Sequence, residues 1–186
     1  VFRRGRLDFF EYIWGSVGIF VFMMILIQPI VTRPLTQLVT SASGVIGKLT
    51  GLFEAYRDYS IIFITNKATN SSISLYVDYE CSGIIEMMAF VALLAFFKVY
   101  DKGQRVIVGI VGCIGIFISN IIRIITICVM VKIWGNSVYY LAHTVVGRLV
   151  FYALAVALYY VVFTHSQIIK QKIGGFSYAE HNEDSI

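Results

Sequence analysis

The chain has 186 residues, of which 58% are hydrophobic and 14% charged, with a net charge of +4 and a mean hydropathy of +0.78. An ordinary soluble domain carries about a quarter of its residues charged, so this balance excludes one and makes lipid the expected solvent. The positive charge is no nucleic-acid footprint, because Lys and Arg sit mainly in short segments flanking apolar runs.

In chain order, the basic opening Arg3-Arg4-Gly5-Arg6 leads into an apolar run from Tyr12 to Val31. Crossing a hydrocarbon core of about 30 Å takes roughly 20 helical residues, so this run predicts a first transmembrane helix. It is too long for the core of a signal peptide and shows no small-residue cleavage site, so it is expected to stay as an anchor. The stretch 32–80 is then expected outside the membrane. Within it Leu35, Leu38, Val39, Ala42, Val45, Ile46, Leu49, Leu52, Phe53 and Tyr56 recur at steps of three and four, the period of an amphipathic helix lying along the outer interface. Ser60 to Thr65 and the alternating Ile73 to Tyr79 flank a turn-rich Asn66 to Ser72 and predict an extracytoplasmic β-hairpin. Asn70-Ser71-Ser72 matches a glycosylation acceptor, a pattern too short to weigh.

Three more runs, Ser82 to Phe97, Val106 to about Val131 and His143 to Phe163, complete a four-span reading. Arg3, Arg4, Arg6, Lys98, Lys102, Arg105, Lys170 and Lys172 all fall on one side, which the enrichment of basic residues in inner loops makes cytoplasmic, with both termini inside. The expected fold is an all-α integral membrane protein with four transmembrane helices, one domain over 1–173, and a polar, disordered tail over 174–186. The three cysteines, Cys81, Cys113 and Cys128, show neither a disulfide framework nor zinc spacing, and no metal or cofactor is expected.

An ionisable side chain in mid-membrane costs at least about 2.5 kcal/mol, so each one present needs a partner or a function. Glu86, Arg123 beside Asn120, and Arg148 are such residues, while Cys81 and His143 stand at span ends. With a rise of about 1.5 Å per residue, Cys81, Arg123 and His143 reach the same outer layer of the membrane from three different helices. Glu86 and Arg148 each lie five residues deeper and are expected to form a structural ion pair, with Arg123 as the alternative partner of Glu86. A helix-end cysteine is more often packing than nucleophile, and a lone interfacial histidine more often structural. Here Ser82 and Gly83 follow Cys81 at a helix start, where free N–H groups and the helix dipole favour a thiolate, as does a nearby Arg123. Asp78 and Glu80 oppose it. His143 beside a thiol suits general acid–base work. Asn120, three residues from Arg123 on one helix face, gives a second donor aimed the same way, which suits a carbonyl or oxyanion.

At these residues the sequence resembles the exosortase/archaeosortase family of membrane-embedded cysteine transpeptidases. The resemblance runs from about Tyr79 to about Phe151 and rests on Glu80-Cys81-Ser82-Gly83-Ile84, Asn120-Ile121-Ile122-Arg123-Ile124, and Ala142-His143 with Gly147. It implies Cys81 as nucleophile, Arg123 as stabiliser and His143 as acid/base. The substrate it implies is an exported protein whose C-terminal sorting signal combines a short motif, an apolar span and basic residues. The acceptor would be water or a membrane-linked amine, and the location the cell membrane with the site facing outward. The larger members' additional N-terminal spans are missing, so the chain is similar to the short exosortases of Gram-positive bacteria. Two rival readings are a non-enzymatic assembly partner or channel, and an intramembrane cysteine hydrolase that cleaves without transfer.

Overall fold

The computed structural model describes residues 2–66 and 71–165. The expected tail over 174–186, Lys170, Lys172 and the asparagine of the glycosylation pattern lie outside the described residues. Its helices are α1 (Phe2–Leu26), α2 (Gln28–Thr50), α3 (Ile84–Phe96), α4 (Lys102–Trp134), the short α5 (Tyr139–Leu141) and α6 (Gly147–Tyr159). Between α2 and α3 stand β1 (Glu54–Tyr56), a 3-10 turn (Arg57–Tyr59), β2 (Ile61–Asn66) and β3 (Ser71–Tyr76). The last helical run, 136–164, opens with a 3-10 turn and holds π-helical turns at Ala142–Val146 and Tyr160–His165.

Three helices are long and apolar enough to cross a membrane: Phe9–Leu26, Lys102–Trp134 and Asn136–Thr164. The expected second span is a helix of only 13 residues, α3, or about 20 Å at 1.5 Å per residue. The expected first span, Tyr12 to Val31, ends early. The chain breaks between Leu26 and Gln28, and residues 28–31 open α2. Pro29 explains the break: it has no N–H to bond back and its ring crowds the preceding turn, but it fits the first turn of a new helix.

The amphipathic helix exists as α2, but it stops at Thr50 with Gly51 in the left-handed conformation (φ 65°), so Leu52, Phe53 and Tyr56 belong to the following loop and β1. Its orientation is the reverse of a simple apolar-inward helix. The buried face is Thr36, Val39, Thr40, Ser43, Gly44 and Gly47, whereas Leu38, Val45 and Leu49 are exposed. Small residues let the neighbouring chain come close. A Cβ on Gly44 would sit 2.7 Å from that of Ala55, and one on Gly47 would meet the Phe53 ring at 2.6 Å. Apolar side chains turned outward suit a surface bathed in acyl chains.

The hairpin is one strand larger than expected, an antiparallel sheet in the order β1-β2-β3 with Ile61 opposite Tyr76 and Ile64 opposite Ile73. Ile62, Ile64, Leu75 and Val77 form its buried side and pack with Ile124, Ile127, Cys128 and Val131 of α4. A second core joins Phe90 and Leu94 of α3 to Ile116 of α4 and to Phe151 and Ala155 of α6. At 33 residues, α4 is about 50 Å long, and its surplus length beyond one bilayer is used as the spine of the sheet. The end of α3 is pinned by Arg105, whose Nη1 donates to Ala95 O at 2.8 Å and whose Nη2 donates to Phe97 O at 3.0 Å and Tyr100 O at 3.3 Å. These are carbonyls that a helix terminus leaves without partners.

Because charge-assisted hydrogen bonds contribute about 1.5–3 kcal/mol each, Arg105→Met is expected to destabilise the protein by at least about 2 kcal/mol. The check is the thermal midpoint in detergent against wild type, with Lys102→Met, one turn away on the same helix, as the control expected to move it little.

Candidate active site

The turn Asp78 to Gly83 carries the first group. Its backbone is closed by Cys81 N–H donating to Asp78 O at 3.2 Å and to Asp78 Oδ1 at 3.0 Å. Ser82 Oγ donates to Tyr79 O at 2.8 Å and accepts from Ile84 N–H at 3.4 Å. Gly83 caps α3 at φ 76°, a left-handed conformation that favours glycine. This hairpin-to-helix turn leaves the Cys81 side chain buried, 6% exposed, in the core shared by the sheet and α4.

On α4, Asn120 and Arg123 are both buried, at 0% and 5% exposure. Asn120 Nδ2 donates to Cys81 O at 2.6 Å. The sequence expects Asn120 as a second donor toward a carbonyl or oxyanion; in the structure one of its two amide N–H groups holds the cysteine turn. Arg123 Nη1 donates to Glu80 O at 3.3 Å, its Nη2 lies 3.7 Å from Cys81 Sγ, and its guanidinium carbon stands 5.9 Å from the centre of the Phe151 ring. Among the described residues no carboxylate comes within ion-pair distance of it.

His143 enters from the π-helical turn Ala142–Val146, a wider helical turn that recurs at functional sites. Its Nε2 lies 3.9 Å from Cys81 Sγ. Just beyond it Gly147 lets α6 press on α4, since a Cβ there would meet Ile127 at 2.9 Å. Sulfur, guanidinium and imidazole from three elements thus meet at one point, as the helix counting from sequence expects. Among the described residues no group of three or more His, Cys, Asp or Glu is gathered as a metal-ligand set.

The expected pair of Glu86 and Arg148 does not form. Arg148 Nη2 instead lies 3.9 Å from Glu80 Oε2, both side chains about half exposed, so the contact is weak. The residue count assumes an unbroken α-helix, but the π turn at Ala142–Val146 adds a residue to the turn and shifts the side chains after it. Helical side chains also lean toward the N-terminus, which carries Arg148 up to the level of the cysteine turn. The charge that reaches Glu86 is that of Arg123, the alternative partner, though not at ion-pair distance.

Burial pushes the Cys81 thiol up to about 11; Arg123 pulls it down, while Asp78 and Glu80 push it further up. Desolvation thus outweighs the nearby cation and favours the neutral thiol over the thiolate. Tyr139, which sequence reasoning missed, stacks on the His143 ring with centroids 5.8 Å apart and planes 12° apart. Its spacing of four residues before His143 was the available signal.

Long apolar helices, with buried Cys81 and Arg123 gathered beside the half-buried His143, describe a polytopic membrane protein with a candidate site around a thiol. The sequence matches the transmembrane exosortase family over residues 5–160. The chain belongs to that family, which makes it a multi-pass membrane protein of the exosortase type. No curated protein and no solved structure matches it.

In an alkylation-rate profile against pH, the main ionisation limb of Cys81 is expected near pH 11. Asp78→Asn removes an anion that opposes the thiolate and should move that limb to lower pH. Arg123→Gln removes the cation that favours it and should move the limb higher. Shifts of the same sign in both variants would contradict this account of the site.

Proposed function

We propose that the chain is a membrane-embedded cysteine transpeptidase that cleaves the C-terminal sorting signal of exported proteins and transfers the product to an acceptor. The observation that carries the reading is the buried guanidinium of Arg123, 3.7 Å from Cys81 Sγ and without a carboxylate within ion-pair distance among the described residues. A cation kept unneutralised inside apolar packing suits an anion that exists only during reaction. A channel or an assembly partner would gain nothing from leaving it so.

In this mechanism Cys81 Sγ attacks the scissile carbonyl carbon while its proton passes to His143 Nε2, consistent with a thiol that is neutral at rest. Arg123 balances the negative charge on the tetrahedral oxygen. The C–N bond then breaks, His143 returns the proton to the leaving amine, and a thioester to Cys81 remains. A membrane-linked amine, or water, attacks the thioester, gives up its proton to His143 and releases the thiol. Asn120, Ser82 and Gly83 act by holding the Cys81 turn.

The reading places α3 as a fourth, short crossing, both termini in the cytoplasm, and the site at the extracytoplasmic face. The basic residues around Lys98, Lys102 and Arg105 support that orientation.

The test is co-expression with secreted proteins that end in a short motif, an apolar span and basic residues. Cys81→Ala should accumulate uncleaved precursor, and Arg123→Gln or His143→Ala should slow conversion by roughly 100-fold or more. The mass of the new C-terminus separates transfer, which leaves an adduct, from hydrolysis, which leaves an acid. Normal processing by Cys81→Ala would refute the assignment.

A further inference from the structure

Histidines that take a proton from a nucleophile are usually oriented by a hydrogen bond at the other ring nitrogen, which also fixes the tautomer. For Nε2 of His143 to accept the thiol proton, the ring N–H must sit on Nδ1. Yet Nδ1 is buried and has no hydrogen-bond partner among the described residues. Nothing polar on the far side of the ring therefore sets its direction. The group that does lie against the imidazole is the ring of Tyr139, parallel within 12° and 5.8 Å away. It comes from α5, one turn earlier in the same helical run, and enters the π turn that carries His143. It also packs on the apolar core that contains Cys81, Cys128 and Ala142.

We propose that Tyr139 is the positioning residue of His143, its ring face taking the place of the missing hydrogen bond and holding Nε2 toward Cys81 Sγ. The inference rests on the reading of His143 as the acid/base given above. A parallel aromatic contact at this separation restricts the ring plane without fixing a tautomer. The imidazole is then held in place yet free to carry its proton on either nitrogen, as a group that must alternate between base and acid requires. The charged and titratable groups around it are Cys81, Asp78 and Glu80 from the turn before α3, Arg123 from α4, Arg148 from α6 and Tyr139 itself.

Two properties of Tyr139 are separable, its ring face and its hydroxyl. Tyr139→Phe keeps the stack, whereas Tyr139→Leu keeps apolar volume and loses the face. The measurement is Cys81 alkylation by iodoacetamide across pH in purified, detergent-solubilised protein carrying Cys113→Ala and Cys128→Ala, which needs no substrate. Wild type is expected to react faster at neutral pH than ionisation of the thiol alone allows, through proton transfer to His143. His143→Ala and Tyr139→Leu should both lose that excess, by roughly tenfold or more. Tyr139→Phe should stay within about twofold of wild type. The high-pH limb, which belongs to the thiol itself, should stay in place in Tyr139→Leu, which separates a turned imidazole from a collapsed site. Wild-type neutral-pH reactivity in Tyr139→Leu overturns the proposal, as does an equal loss in Tyr139→Phe. Failure to process any sorting signal, with the alkylation pattern intact, would strike the transpeptidase reading and leave the role of Tyr139 standing.

Discussion

A guanidinium buried among apolar helices has to be held by something, and around Arg123 the holders are few. They are the carbonyl of Glu80, the face of Phe151 and the sulfur of Cys81. The cost of placing a charge there, about 2.5 kcal/mol or more on a membrane helix, is what the surrounding architecture answers. The turn before α3 is folded so that a backbone carbonyl and a thiol both present to the guanidinium. Asn120, one helical turn away, ties the same turn to α4 through the Cys81 carbonyl. The Cys81 turn is therefore tied to α4 by two bonds from one helix.

The length of α4 makes this possible. Its first half packs with α3 and α6, and its last turns pack with the sheet. Asn120 and Arg123 fall at the junction, where the helix passes from one core to the other. The sheet delivers the chain from β3 into the cysteine turn, and α6 returns against α4 at Gly147 just after the histidine. Cys81 thus sits in the core shared with the sheet, and Asn120 and Arg123 stand where α4 passes into it from the other core.

Much of this was legible in the sequence. Apolar runs gave the helices, alternation gave the hairpin, and the rise per residue put Cys81, Arg123 and His143 in one layer. What failed was rotation about helix axes and the loss of helical regularity. Arg148 was expected beside Glu86, but its guanidinium reaches Glu80 in the cysteine turn, since a π turn leaves no mark in composition. Periodicity showed that α2 has two faces, but not that its inward face would be built from the small residues Thr36, Thr40, Ser43, Gly44 and Gly47. The state of the Cys81 thiol stayed open in the sequence for a related reason. Sequence shows which charges stand nearby, whereas desolvation depends on how completely three elements close over the sulfur. Tyr139 went unnoticed because aromatic residues are common along this chain, and only the stack singles one out.

The burial of Cys81 also bears on how such a site survives. Thiols are oxidised according to how much thiolate they carry and how freely peroxide can reach them. Cys81 is 6% exposed and held neutral, so it offers little of either at rest. Cys113 and Cys128 are likewise free thiols with no bridge to it. A membrane protein built this way would keep its reactive atom in reduced form in oxidising surroundings without a dedicated reductant.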